Sequence, residues 1–410
     1  MAKICLISHG HPSSNPRLVR DADVLAEAGY AVSVVTPQYM ARWLPYDESL
    51  VRMKGWKFRG INYLSADMSA TWRWNYIRIR RRICAFVAKW MPFEGVIGRA
   101  CNYSNPELAD LAASEPADLY IAHQHHALPA AAWAARITKS RFAFDAEDLL
   151  AESSAEPHNM IIDIEKRYLH DCAYISTMSH DAADRLQVTN SLKERPLVLH
   201  NTPRIKEREG AIPPIERPLG DVVSIYWFGQ TIGTHSCADQ VLKALPLLCK
   251  PVRIVLRGTP RQEYVNYLMS LTKELGLEGR LEILPIALAD EMVRLAAQYD
   301  ILLGSQPGDE LFHQMAIGNK VFTGMMAGLA LALTNTIAHR ELLANAPGCG
   351  FLFKDSDVQE LANRLNTLLS QPSMLLEMKQ ASWRLAQERF NWEIESKQLI
   401  TTVAQVIKDK

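Results

Sequence analysis

The 410-residue chain has no excess charge of either sign: 45 Lys and Arg balance 45 Asp and Glu. A protein that coats nucleic acid carries a basic surplus, so that class is not expected. No apolar run approaches the roughly 18 residues of a membrane span. The opening residues, MAKICLISHG, lack the apolar core and small-residue cleavage site of a secretory leader, so no leader is expected. The 7 cysteines show no C-x-x-C spacing, which argues against a disulfide framework or a zinc ribbon and for buried, reduced thiols. A cytoplasmic protein is the expectation. No internal repeat and no G-x-G-x-x-G loop occur, so a dinucleotide cofactor has no support.

What is present is a rhythm. Apolar runs alternate with helical stretches: Lys3–Ser8 as a strand, Arg17–Ala28 as a helix, Ala31–Thr36 as a strand. The rhythm returns at Leu119–Ala122, Ala130–Arg136, Arg141–Asp145 and Ala173–Met178. A second series holds Val222–Phe228, Arg253–Arg257, Leu281–Leu284, Ile301–Gly304 and Leu329–Leu333. Fully apolar strands separated by helices define an α/β chain with parallel, doubly wound sheets. Ile205–Gly220, rich in Pro, Gly and charge, reads as a linker. The expected layout is a Rossmann-like domain over 1–204, the linker 205–220, a second Rossmann-like domain over 221–390, and a closing segment 391–410. The two domains are expected to face a cleft. Ligands of such sheets bind beyond the carboxyl ends of the strands, so the loops after strands are the ones to read.

After the first strand, Gly10 leaves room for a ligand, and Arg17 and Arg20 follow on the next helix. The same stretch also makes an ordinary turn, with Asn15 as N-cap and Pro16 at the first helical position. After the third strand stand His123, His125 and His126. Metal hydrolases with H-x-H motifs add a nearby Asp, but here Ala127-Leu128-Pro129 follows, so no metal is expected. A His that bonds a substrate hydroxyl fits better. Asp145, Glu147 and Asp148 end the next strand. One can act as a base or hydroxyl ligand, or all three can serve as acidic helix caps. Near 318–328, Asn319, Lys320 and Thr323 begin a helix among small residues, a setting that suits a diphosphate. A closely packed helix at Gly324 and Gly328 is the plainer reading.

These loops, in this order, resemble the retaining family 4 glycosyltransferases of the GT-B fold. Asn15-Pro16-Arg17-Leu18 through Ala28-Gly29-Tyr30 is similar to that family's opening. Leu119–Pro129 followed by Phe144-Asp145-Ala146-Glu147 is similar to A-H-D … L-P-A … Y-D-A-H-E. Leu199-His200-Asn201-Thr202-Pro203, Asn319-Lys320-x-Phe322, Met325-x-Ala327-Gly328-Leu329 and Phe390-Asn391-Trp392 match further motifs. The resemblance implies a nucleotide diphosphate sugar as donor and no cofactor or metal. It implies that the leaving diphosphate helps take the acceptor's proton and that the closing helix crosses back to the first domain. It places His123 and Asp145 as catalytic, and Gly10, Asn15, Arg17, His125 and Glu147 on the acceptor side. It places Gly229, His235, Arg257, Arg261, Asn319, Lys320 and Thr323 on the donor side. Two departures stand out: Met315 and Thr323 occupy the positions of the family's two donor glutamates. The expected diphosphate cations after Gly229 are replaced by Thr231, Thr234 and His235.

The zero net charge hides opposed patches. Arg52–Arg99 holds eleven cations against two acids, and Cys101–Asp163 holds ten acids against three cations. Within the basic stretch, Ile79, Ile83, Phe86 and Trp90 share one helical stripe, with six cations and no acid from Arg73 to Lys89. Cations beside an aromatic-edged stripe suit an anionic membrane surface, reached through Trp72–Trp90. The expected protein transfers a sugar to a lipid-linked or polysaccharide acceptor in cell-surface glycan synthesis, peripheral on the inner face of the membrane. A catalytically silent binding partner of the same fold, or a sugar-nucleotide epimerase, are the alternatives.

Overall fold

The computed structural model describes residues 1–64, 68–154, 157–217, 220–308 and 310–409. They form two compact units: Met1–Leu199 with Ser396–Lys410, and His200–Glu395.

Unit 1 is built on seven parallel strands: β1 (Lys3–Ser8), β2 (Ala31–Gln38), β3 (Lys57–Asn62), β4 (Leu119–His123), β5 (Arg141–Asp145), β6 (Ile175–Thr177) and β7 (Leu197–Val198). Their order is β3-β2-β1-β4-β5-β6-β7. β1 and β4 are apolar and buried on both faces, as a central parallel strand requires. Ile4, Leu6, Leu119 and Ile121 are all within the core, and each such burial contributes roughly 1.5–3 kcal/mol. The helix Pro16–Glu27 starts where the sequence places it, because Asn15 accepts the amide of Leu18 and Pro16 needs no N–H partner. Arg141 donates to the carbonyls of Val406 and Asp409, so the closing helix is fastened within unit 1.

Unit 2 has six parallel strands: β8 (Val223–Ile232), β9 (Val252–Pro260), β10 (Leu281–Leu284), β11 (Ile301–Gly304), β12 (Ala330–Thr334) and β13 (Gly350–Phe353), in the order β10-β9-β8-β11-β12-β13. Alternation along β8 builds two cores. Ile225 and Trp227 pack with Leu256, Leu365 and Leu368 on one face; Tyr226 packs with Val255, Leu302 and Phe322 on the other.

Three features depart from the sequence expectation. β3, β7 and β13 add edge or near-edge strands; β3 is half-exposed and β7 has two residues, so neither shows an apolar run. β8 continues to Ile232, past Gly229, through a shift of register opposite β9 between Phe228 and Thr231. Gly258 makes that passage possible, since a Cβ there would meet the Gly229 carbonyl at 2.4 Å. The expected linker is tied down inside unit 2. Arg208 lies 3.7 Å over the Trp383 ring and donates to the carbonyls of Met326 and Trp383, while Arg217 donates to Ala297 and Ala327. Residues 218–219 of that stretch lie outside the described residues.

Candidate functional site

In both sheets the strand order reverses at the first strand, between β1 and β4 and between β8 and β11. The loops leaving those strands diverge there, which opens the carboxyl edge to a ligand.

In unit 1 the edge is a network of charges. Arg17, from the helix after β1, donates to both oxygens of Asp145 at the end of β5, at 2.5 and 2.8 Å. Its remaining donor goes to the Leu199 carbonyl, and Ser176 donates to Asp145 at 3.0 Å. His123 Nδ1, at the end of β4, lies 2.9 Å from Glu147 and 3.4 Å from Asp145; its Nε2 lies 3.6 Å from Asp21. Glu147 also receives Asn15 at 2.6 Å and Gln124 at 3.0 Å. Glu147 and Gln124 both adopt left-handed backbone (φ 53° and 67°), a cost that the network repays.

Charge balance explains the protonation states. Burial works against the His123 cation, but the hydrogen bond to Glu147 and the charges of Asp145 and Asp21 hold its pKa above the usual value. Burial also opposes the Asp145 anion, yet Arg17 and His123 outweigh it and hold Asp145 below the usual range. Arg17 and His123 thus face Asp145 and Glu147. Asp21 is a third carboxyl, and burial, with Asp145 adding, pushes it up to about 7. Asp21, His123 and Asp145 come close enough together to suggest a metal triad. The donor set fits a cation poorly, because the Arg17 guanidinium already covers both Asp145 oxygens.

The structure therefore brings His123, Asp145, Arg17, Asn15 and Glu147 together, but assigns them to one another. His123 and Asp145, expected as the catalytic pair, are fully buried; Asp145 is held by Arg17 and Ser176, and His123 Nδ1 by Glu147, while His123 Nε2 makes no hydrogen bond among the described residues. His125 is spent elsewhere: its Nε2 lies 2.8 Å from Glu165, its ring packs edge-on against Phe144, and no part is exposed. Gly10 has no steric need to be glycine, since a Cβ would meet only Ser14 Oγ at 3.7 Å. Two elements went unrecognised in the sequence. Asp21 sits mid-helix with no loop signal. His11 and Asp47 form a second buried pair at 2.6 Å, in which His11 Nε2 accepts the amides of Tyr39 and Met40. Only the tertiary fold brings those residues, 36 positions apart, together.

In unit 2 the edge carries cations. Lys320, second residue of the helix Asn319–Ala327, lies with its Nζ 4.7 Å over the Trp227 ring. Trp227 is fully buried and donates to Ser305, which donates to the His235 carbonyl. His235 also packs against the Trp227 ring, 5.6 Å between centroids. Gly233 draws Arg261 close: a Cβ on it would meet both Arg261 and His235 at 3.3 Å. Among the described residues no carboxylate pairs with Lys320 or Arg261. Burial pulls Lys320 down to about 8. Burial, with Lys320 and Arg261 adding, pulls His235 down to about 4, so it is neutral at pH 7.

The other expected donor residues are engaged within unit 2. Gly229 lies inside β8 against the Trp227 ring rather than at a strand end. Arg257 donates to the Tyr226 hydroxyl at 2.9 Å and to the Pro285 carbonyl at 3.0 Å. Thr323 is buried and donates to Asn319 Oδ1 at 2.8 Å; Asn319 in turn donates to Asn201. Trp227, which orders the whole cluster, reads in the sequence only as a core strand residue.

Two doubly wound parallel sheets in one chain make up the GT-B architecture, and its solved relatives agree. HepE of Anabaena in complex with UDP and glucose aligns over 99% of this chain and all of that one, at TM-score 0.73 and 17% identity. Sucrose-phosphate synthase of Thermosynechococcus elongatus aligns over the full length of both, at TM-score 0.72 and 13% identity. WaaG, a glycosyltransferase involved in lipopolysaccharide biosynthesis, aligns over 97% of this chain and 98% of its own, at TM-score 0.60 and 13% identity. No curated protein matches the chain. Residues 224–371, within unit 2, match the family described as Glycosyl transferases group 1. The chain has the GT-B fold, and its second unit carries a segment similar to that group of glycosyltransferases.

Proposed function

We propose that the chain binds a nucleotide diphosphate sugar through unit 2 and transfers the sugar, with retention, to a hydroxyl of a lipid-linked or polysaccharide acceptor. The observation that carries the donor half is Lys320: a half-buried ammonium with no carboxylate partner among the described residues, at the start of a helix, with His235 near both it and Arg261. Holding an unanswered cation half out of water is unfavourable until an anion arrives. The helix N-terminus adds free N–H groups to the same place, so a diphosphate is the complementary ligand. Neutral His235 is suited to bond a phosphate or hydroxyl oxygen without adding charge. Catalysis on this reading is positioning plus neutralisation of the leaving diphosphate. The test is thermal stabilisation by UDP and GDP at millimolar concentration, on wild type and on Lys320→Met. The wild type is expected to shift upward; the variant is expected to fold as well and to lose the shift. No response of the wild type to either nucleotide removes the donor half.

The acceptor half is supported by the helix Met68–Ala88. Trp72, Tyr76, Ile79, Ile83 and Phe86 follow one another at helical spacing, Trp90 stands in the turn just beyond, and each is 56–79% exposed. Arg80 is paired with Glu107, and Arg81 donates to the Ala100 carbonyl, but Arg73, Arg78, Arg82 and Lys89 have no carboxylate partner among the described residues. No helix among the described residues is long and apolar enough to cross a membrane. An exposed apolar stripe flanked by free cations suits adsorption to an anionic bilayer, where a lipid-linked acceptor resides.

A second reading, a silent member of the fold, draws on one observation. The places of the expected donor carboxylates hold buried Met315 and Thr323, whose hydroxyl is already spent. Nucleotide binding without turnover, over a panel of donors and acceptor extracts, decides for it.

A further inference from the structure

The stretch that reads as a linker, with the residues just before it, lies along one helix of unit 2. That helix, Asn319–Ala327, is the one that carries Lys320. At its start, Asn319 donates to Asn201 at 3.3 Å. Along its side, the His200 ring packs 5.3 Å from that of buried Phe322. At its end, Arg208 Nε donates to the Met326 carbonyl at 2.9 Å and Arg217 Nη2 to the Ala327 carbonyl at 2.6 Å. The other nitrogens of both guanidiniums are placed too: Arg208 on Trp383 and Gln387, Arg217 on Ala297 and Ile212. Both lie over the Trp383 ring, at 3.7 and 5.8 Å. Gly328 closes the helix at φ 68°, and a Cβ there would meet Pro214 of the same stretch at 2.6 Å.

The last carbonyls of a helix have no partner within it, and that end carries partial negative charge. Guanidiniums on Met326 and Ala327 answer both. A helix of nine residues has little stability of its own, so contacts at its start, side and end decide where it sits. We propose that residues 200–217 are a splint that sets Lys320 over Trp227, with Arg208 and Arg217 as positioning residues of the anion site. This rests on the reading of Lys320 as the cation that meets the diphosphate. Met326 lies six residues beyond Lys320, roughly 9 Å along the axis. Arg208 and Arg217 therefore act through the helix rather than by touching the ligand.

Burial holds Lys320 down to about 8 only where the helix keeps it on the Trp227 ring. With the helix end released, the ammonium moves toward water and its pKa returns toward 10.5. The titratable and charged groups near it are Cys237, His235, His339 and, beside His235, Arg261. Burial keeps His235 and His339 down to about 4 and Cys237 up to about 12, so Lys320 is the group of this set that these shifts place between pH 7 and 10. A positioning role therefore moves two readouts together: UDP affinity falls, and the pH above which affinity drops rises from about 8. A purely structural role lowers stability and moves neither.

The experiment is calorimetry of UDP and GDP binding to the full chain from pH 7 to pH 10, for wild type, Arg208→Met, Arg217→Met and Arg208→Lys. Circular dichroism and urea unfolding report the fold and stability of each. The Met variants are expected to bind UDP about tenfold more weakly at pH 7, the effect of a misplaced contact. Their affinity should start to fall at least about one pH unit above the wild type's, as the Lys320 charge persists longer. Arg208→Lys, which keeps the charge but not the three-way hydrogen bonding, should fall between, and it carries the test if the Met variants do not fold. Folded variants with the wild-type pH profile overturn the splint, whatever their stability, and leave Lys320 itself in place. A wild type that binds neither nucleotide overturns the donor reading and the splint together.

Discussion

The two units answer the same problem in opposite ways. At the carboxyl edge of the first sheet, buried charges are matched to each other: Arg17 to Asp145, His123 to Glu147. At the carboxyl edge of the second sheet, Lys320 rests on an aromatic ring and, among the described residues, meets no carboxylate. A matched network fixes loops and has little left to offer a ligand. An unmatched group is a standing cost that ligand binding relieves. The difference sorts structural charges from binding charges more sharply than residue type does.

The largest effect that would break this comparison lies in the matched network. Arg17→Ala leaves Asp145 buried and unpaired, which should cost about 3–5 kcal/mol, read by denaturant unfolding at pH 7. Asp145 has a lowered folded pKa, so its contribution is present above the ordinary carboxylate value and fades as pH falls through the folded one. The penalty of Arg17→Ala should therefore shrink in acid. A variant as stable as wild type at pH 7 would mean that the network is not matched.

Next in size is the pH dependence of nucleotide binding. Lys320 has its pKa lowered from 10.5 to about 8. Below pH 8 the free protein already carries the cation and binding takes up no proton there. Above it, the charge has to be restored from solvent, so UDP affinity should weaken by up to about tenfold per pH unit. Calorimetry at pH 7, 8 and 9 reads this, with proton uptake appearing only at the higher two. A flat profile from pH 7 to 9 would remove Lys320 from the phosphate site.

The smallest effect on the protein itself lies on the exposed stripe. Phe86→Glu with Ile83→Glu should change stability by less than about 0.5 kcal/mol, as at other exposed positions. Binding to vesicles with a third of phosphatidylserine should nevertheless drop at least tenfold, and raised salt should weaken the wild type in the same direction. Equal sedimentation of wild type and variant with those vesicles would remove the membrane role.

Much of the fold was legible in the residues. β1 and β11 have the bounds that their apolar runs suggest, because a strand buried on both faces is apolar nearly throughout; β5 and the edge strand β10 also keep their expected bounds, with a polar residue on their more open parts. β3 was not legible, since an edge strand needs no such run. The membership of the first-unit network was mostly readable from the loops after β1, β4 and β5. Its missing member, Asp21, lies inside a helix, where sequence offers no reason to single out one polar residue.

The sequence alone determined two doubly wound sheets and the loops where charges gather. It did so because hydrophobic period and strand-end position are local properties. It could not say which charges are spent. Whether Asp145 is a base or the anchor of Arg17, and whether Thr323 faces a ligand or its own helix, depends on partners brought from distant positions. Arg17 and Asp145 stand 128 residues apart. Only the packed sheet, which places their strand ends side by side, decides that they neutralise each other and that, among the described residues, Lys320 meets an aromatic ring and no carboxylate.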